Sequence, residues 1–446
     1  MIANDTLLPR GSGSSTIPTQ TTIHQWRTMS DATSRKTFWA LCDQGVISAG
    51  NFCTNIVLIR HLSAVRFGVF ALLLNAMLFL NNIHAALITY TICIRGAQAD
   101  QGSLGKLGFG GVVATLGLAI VNVICLLIAS LYIAQQRLLL FVVAASVCWQ
   151  VQEALRTVFV SRMSYERAIG GDAISYLGQA ALIGCFCLWE TPGLPTVFLA
   201  IAGTSLLGAL LQAIQIRPSP TKVEWLRSFG GEIWILGRWS VLAKLVAFFG
   251  LQAFPWAIAY RYGFVPVAIF QSLFQLVALM NPVLLSSNNL IMASIAKHRQ
   301  QDARIPGSAM KYMFYSGGIA AVYFVILLVG GSRVLTLFYG RNSTYLLNAP
   351  LLPVFVAGYA LEFVSMFAGA ILAGMEKTKA LFIQQVCAML VAVCVVLPLV
   401  VRFGLRAAVY GLLVVNAMKA LVGWYLIYAM DRLNPSPNGA VALASL

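Results

Sequence analysis

Apolar residues along this chain gather in long runs separated by short polar punctuation, with no two-residue alternation. A helix needs about 20 mostly apolar residues to cross ~30 Å of hydrocarbon at ~1.5 Å per residue. Twelve segments meet that measure: 38–59, 67–93, 108–133, 138–160, 168–189, 196–216, 233–257, 264–292, 310–331, 350–373, 380–401 and 405–430. They are too long for barrel strands of about ten residues. Several meet in pairs across Arg60-His61 or Arg402-Phe403-Gly404, as antiparallel hairpins would. The pattern predicts an all-α polytopic membrane protein of about twelve transmembrane helices.

Composition removes the soluble alternatives. Of 446 residues, 59% are hydrophobic and 10% charged, whereas soluble domains carry about 25% charged residues. Too few charges remain to cover a water-exposed body of this size. Residues 1–37 are polar and Ser/Thr-rich and lack the apolar core of a signal peptide; they predict a disordered cytoplasmic tail, as do residues 431–446. The longest polar connection, 217–232, contains Pro218 and Pro220 and then a Trp/Leu/Arg mixture suited to an amphipathic interfacial segment. It divides the spans six and six. The expected domains are therefore 38–216 (N-lobe, helices 1–6) and 233–430 (C-lobe, helices 7–12), related by an axis along the membrane normal.

The net charge of +16 has a pattern. Of the 30 basic residues, four lie within predicted spans, namely Arg156, Arg238, Lys244 and Lys419. Eight fall in one set of alternate loops: Arg60, Arg66, Arg137, Arg261, Arg333, Arg341, Arg402 and Arg406. Remote Arg10 aside, the other 17 fall in the opposite set, from Arg27 to Arg432. By the positive-inside rule the richer set and both termini are cytoplasmic.

Little in the sequence points to catalysis. The nine cysteines all lie in predicted spans without a CxxC pair, and the four histidines are scattered, so neither a metal nor a cofactor is expected. No GxxxxGK[ST] loop is present for ATP hydrolysis. Ionisable groups inside spans are costly, about 2.5–3.5 kcal/mol each on insertion scales, and so mark candidate function. Lys244 and Lys419 are the deepest, and with Arg238 and Arg156 they form the candidate cavity cations. Asp43, Glu153 and Glu362 are candidates for ion coupling. The bland readings stand beside these: Glu153 and Arg156, three apart on one helix face, suit a structural ion pair, Arg238 could face headgroups, and Asp43 could reach cytoplasmic water. Asp172 is placed near an interface. The predicted buried charge leans basic, which suits an anionic substrate such as a lipid phosphate or diphosphate. Many span amides, among them Asn51, Gln179 and Gln384, suit sugar hydroxyls or interhelix contacts.

The run Asp43-Gln44-Gly45-Val46-Ile47-Ser48-Ala49-Gly50-Asn51-Phe52, continuing to Arg60-His61-Leu62-Ser63 and Phe67-Gly68-Val69-Phe70-Ala71, resembles the opening hairpin of Wzx-type polysaccharide flippases. These belong to the multidrug/oligosaccharidyl-lipid/polysaccharide (MOP) exporter superfamily. Asn281-Pro282-Val283-Leu284-Leu285, Leu337-Phe338-Tyr339-Gly340, Leu372-Ala373-Gly374-Met375-Glu376-Lys377 and Phe403-Gly404-Leu405-Arg406-Ala407-Ala408 resemble that family's late-helix landmarks. One departure is Ser63-Ala64-Val65-Arg66, where an acidic residue is common. The resemblance implies two six-helix lobes around a central cavity, working by alternating access in the bacterial inner membrane. It implies an undecaprenyl-diphosphate-linked oligosaccharide as substrate, membrane lipids around it, and a polysaccharide polymerase or glycosyltransferase assembly as partner, with no nucleic acid. The alternatives are a multidrug exporter of the MATE kind, a lipid II-type flippase, and a membrane assembly partner that transports nothing.

Overall fold

The computed structural model describes residues 20–298, 306–341 and 343–433. Within them the secondary structure is helical throughout, joined by short turns. The helices are α1 (Gln20–His61), α2 (Ala64–Gln98), α3 (Gln101–Tyr132), α4 (Leu139–Ser161), α5 (Tyr165–Trp189) and α6 (Leu194–Ile216). After the connection come α7 (Val223–Leu251), α8 (Ala253–Tyr262), α9 (Phe264–Ala278), α10 (Asn281–His298) and α11 (Gly307–Tyr339). The chain closes with α12 (Leu352–Gly374), α13 (Thr378–Phe403) and α14 (Leu405–Leu433).

Among the described residues, nine helices are long and apolar enough to span a membrane, or ten if the bent pair α9–α10 counts as one span. The predicted segments 38–59 and 233–257 are helical but are not among them. The first carries Asp43, Gln44, Asn51 and Asn55, and the second carries Arg238 and Lys244. Polar side chains that lower a helix's mean hydropathy are the same ones that can serve a polar interior. Two boundaries differ from expectation. α1 begins at Gln20, inside the expected tail, because neither Gly nor Pro interrupts residues 20–44. The interfacial segment after Thr221 runs on without a break into the seventh predicted span as α7.

Local chemistry sets the joints. Ser63 caps α2 by accepting the Arg66 backbone N–H at 3.4 Å. Gly263 (φ +80°) turns α8 into α9, and Gly404 (φ +64°) turns α13 into α14; a residue with a Cβ pays for such backbone geometry. The α9–α10 bend of 50° falls at the predicted Asn281-Pro282 kink.

Burial of apolar side chains gives the fold a direction. At the end holding Arg60, Arg261 and Arg402, here the far end, one continuous core joins both halves of the chain. Phe67, Phe70, Phe198 and Phe254 merge there with Val267, Leu335 and Phe355. At the opposite, basic end the core divides. Ile88, Ile92, Leu107, Ala154, Val158 and Phe229 form one cluster, and Ile291, Ile295, Ala309, Ala370 and Ile371 form a separate one. The halves share one core at the far end; at the basic end α7 stays packed on the N-terminal half, and α10, α11 and α12 hold the separate core.

Candidate functional site

Four helices of the N-terminal half build a buried charge cluster. α4 extends Arg156 toward α1 and α5, and its guanidinium meets three carboxylates. Nη2 donates to Asp43 Oδ2 at 2.6 Å, Nε to Asp172 Oδ2 at 2.7 Å, and Nη1 to Glu153 Oε1 at 3.1 Å. Asp43 and Asp172 are almost fully enclosed. The second oxygen of Asp172 accepts from Gln152 Nε2 at 2.6 Å and Gln212 Nε2 at 3.4 Å, the latter from α6. Asp43 Oδ1 is buried with no hydrogen-bond partner. Fully ionised, the cluster carries two excess negative charges, which cannot remain unbalanced in a dry interior. The cluster therefore concentrates acidic charge inside the N-terminal half.

Close packing brings α1 against this cluster. A Cβ on Gly50 would lie 2.5 Å from the Tyr176 backbone, so a larger residue there would push α1 off α5. Tyr176 receives a hydrogen bond from Trp149 Nε1 at 2.9 Å. Beside it is a cavity of about 30 Å³ lined by Asn51, Thr54, Asn55, Ser175, Gln179 and Ser205, among others. That is room for a water or two among groups able to bind one. A small chamber edged by polar groups thus lies beside Tyr176 inside the N-terminal half.

The C-terminal half holds one buried pair. Lys419 Nζ on α14 lies 3.2 Å from Glu362 Oε2 on α12, both side chains retaining slight exposure. Gln384 on α13 donates to the Lys419 carbonyl at 2.9 Å and fixes that turn of α14. At the kink, the Tyr359 hydroxyl donates to Asn281 Oδ1.

The expected set is therefore partly brought together. Arg156 and Glu153 do form the anticipated pair, but within a larger network. Glu362, a candidate for ion coupling, meets Lys419. Lys244 and Arg238 are corrected: both are exposed, not enclosed. Lys244 shares the α7 face of Gly237 and Phe248, seven and four residues away, which contact Leu87 and Phe79 of α2; it lies at the margin of that contact. Arg238 has its guanidinium 5.9 Å from the Trp239 ring. Asp43 and Asp172 are both enclosed by protein. Among the described residues the enclosed ionisable groups are Asp43, Glu153, Asp172 and Glu362 against Arg156 and Lys419, so the interior leans acidic, not basic. Asp172, Gln152 and Gln212 are site residues that spacing along the chain could not reveal. An acid within an apolar run was the available signal for Asp172.

Contacts between the halves complete the geometry. At the far end Arg60 donates Nε to the Phe338 carbonyl at 2.6 Å and Nη2 to the Leu337 carbonyl. Phe52 sits edge-on to Phe338 at 5.2 Å. Deeper, Asn75 joins Gln252 at 2.5 Å and Trp256 at 2.9 Å. Toward the basic end, α1 and α10–α11 separate around a largely apolar cleft of about 290 Å³ lined by Leu41, Gln44, Pro282, Ser286, Tyr312 and Tyr315, among others.

No protein-family model and no curated protein matches this sequence. Solved structures do match in fold. An inward-facing multidrug-resistance MATE transporter of the MOP superfamily aligns with a TM-score of 0.63 over 89% of this chain and 96% of its own, at 14% identity. The fold is thus similar to that of solved MOP-superfamily transporters. Lipid II flippase MurJ in an inward closed conformation aligns with a TM-score of 0.66 over 92% of this chain and 91% of its own, at 11% identity. A MOP transporter from Pyrococcus furiosus, described by a reversed binding-pocket polarity, gives 0.56 over 90% and 93%, at 16% identity. The MOP fold agrees with the expected superfamily and is not specific to Wzx flippases. The likeness, at 16% identity or less, is one of fold.

Proposed function

We propose that this protein is an ion-coupled secondary transporter that accepts an amphipathic substrate sideways from the bilayer and moves it by alternating access. The observation that carries this reading is the cleft between α1 and α10–α11: its apolar walls suit a lipid tail, at the end where the two cores part. In this reading the basic end and both termini face the cytoplasm of a bacterial cell, following the positive-inside rule. A lipid-linked oligosaccharide diphosphate would exchange its phosphate oxygens for Glu362 at Lys419, and protonation of the Asp43–Glu153–Asp172 group would supply the coupling. Lys244 and Arg238, outside the enclosed set, would serve only if the substrate passes along α7. Two lobes of six helices, and an assembly with polymerase or glycosyltransferase, belong to the same proposal.

A second reading, export of a cationic hydrophobic molecule, is favoured by the acidic lean of the interior and by the fold likeness to MATE transporters. Purified protein in vesicles separates the two. Fluorescent lipid-diphosphate oligosaccharide should cross only when the protein is present, and Lys419→Glu should lose more activity than Lys419→Ala. Efflux of a cationic dye that is lost in Asp43→Asn, with no lipid movement, would replace the flippase by the exporter.

A further inference from the structure

A second cavity at the basic end lies away from the lateral cleft, between the end of α2, the start of α3 and the start of α7. It holds about 320 Å³ and is lined in part by Arg95, Lys106, Ser103, Trp225, Phe229 and Glu232. That volume is far more than one water needs and falls at the lower end of small-ligand sites. Trp225 stacks on Phe229 with centroids 5.0 Å apart, and a Cβ on Gly110 would come within 2.7 Å of the Trp225 ring. The aromatic wall is therefore set in place by α3, not free to fold over the opening. Arg95 pairs with Glu232 at 2.9 Å across the two halves of the chain, with both side chains substantially exposed. Lys106 is exposed and forms no ion pair among the described residues. Asp100 lies nearby; the Ser103 hydrogen bond, and to a lesser degree the Lys106 charge, hold its carboxyl below the usual range.

Two cations, hydroxyls of Ser103 and Ser228, and a fixed indole beside apolar Leu107 form a composite of charge and grease. Helix ends that carry such basic pockets sit at the depth of phospholipid headgroups. We infer that this pocket binds a phosphate oxyanion, supplied by the phosphodiester headgroup of an anionic lipid or by free phosphate, between Arg95 and Lys106. Occupancy draws Arg95 from Glu232 and so loosens the ion pair that ties α2 to α7 at this end. The connection is joined to the same place, since the Ser219 N–H donates to the Gly105 carbonyl at 3.1 Å. The site is a regulatory one, separate from the substrate path.

The test uses the full-length protein in phosphatidylcholine nanodiscs, read by thermal stability and by native mass spectrometry of retained lipid. Added phosphatidylglycerol should raise the melting temperature and leave a bound lipid, and extra phosphatidylcholine should not. Lys106→Gln and Arg95→Gln should each weaken the effect about fivefold. Glu232→Gln, which leaves both cations in place, should strengthen it, so a folding defect in the other variants cannot mimic the result. Stabilisation by phosphatidylglycerol but not inorganic phosphate supports the site with the lipid as source; stabilisation by inorganic phosphate, also lost in Lys106→Gln, supports it with free phosphate as source. No response to either anion, or an unchanged response in both cation variants, overturns the inference.

Discussion

Arg156 is the residue on which the N-terminal interior depends. It balances one of the three carboxylates it touches and orients the other two. Removing one partner of a buried ionic network leaves uncompensated charge, typically at a cost of about 3–5 kcal/mol. Arg156→Met should therefore lower the melting temperature sharply in detergent, and adding Asp172→Asn should recover part of the loss by removing one stranded carboxylate. If the double variant is as unstable as the single one, the guanidinium acts by packing and not by charge. The Lys419–Glu362 pair is a different case: it is one-to-one and slightly open, so a Glu362 carboxylate released from Lys419 would keep some contact with solvent.

Helices in this protein are interrupted where chemistry is concentrated. Among the described residues three π turns occur: Ala85–Thr89 in α2, Ala173–Leu177 in α5 and Ala392–Val396 in α13. The first follows His84, which bonds Thr115 at 2.9 Å, and the second follows Asp172 directly. A π turn inserts one residue and so resets the helical face by ~100°. Deleting Ile174 should convert that turn to α and rotate Ser175 and Gln179 away from the polar chamber. Circular dichroism should be unchanged while transport is abolished; retained transport would make the π turn incidental. Helix contact is set just as closely at Gly68, where a Cβ would lie 2.1 Å from the Phe264 carbonyl oxygen. Gly68→Val should therefore pry α2 from α9 at the far end, at a cost of about 1–3 kcal/mol, visible as a lower melting temperature.

For the molecule as a whole, the distribution of its cores defines one conformation: a shared core at the far end, and two separate cores at the basic end, one of them built by the N-terminal half with α7. Arg60 is the polar latch, donating to the carbonyls of Leu337 and Phe338. Hydrogen bonds from charged donors contribute about 1.5–3 kcal/mol when well made, so losing this latch should shift the equilibrium between states about tenfold or more. Spin labels at Val65 and Leu347, in a cysteine-depleted background of Arg60→Gln, should show a longer-distance population than the same labels with Arg60 present. An unchanged distance distribution would assign closure to the aromatic and apolar packing alone.

The sequence by itself determined an all-α chain of long apolar helices, the Asn281-Pro282 bend and the Glu153–Arg156 contact. Each follows from neighbours in sequence, where helical geometry fixes which residues meet. What sequence could not decide was the sign and membership of the interior. Asp43, Arg156 and Asp172 are more than a hundred positions apart at their extremes, and only the crossing of α1, α4 and α5, allowed by Gly50, brings them together. Lys244 looked as deep as Lys419 because depth along a helix is readable from residue count, whereas direction around it depends on the neighbours. Only the packed bundle showed that α12 and α14 enclose Lys419 with Glu362 while α7 leaves Lys244 exposed. That difference changed the buried charge from basic to acidic.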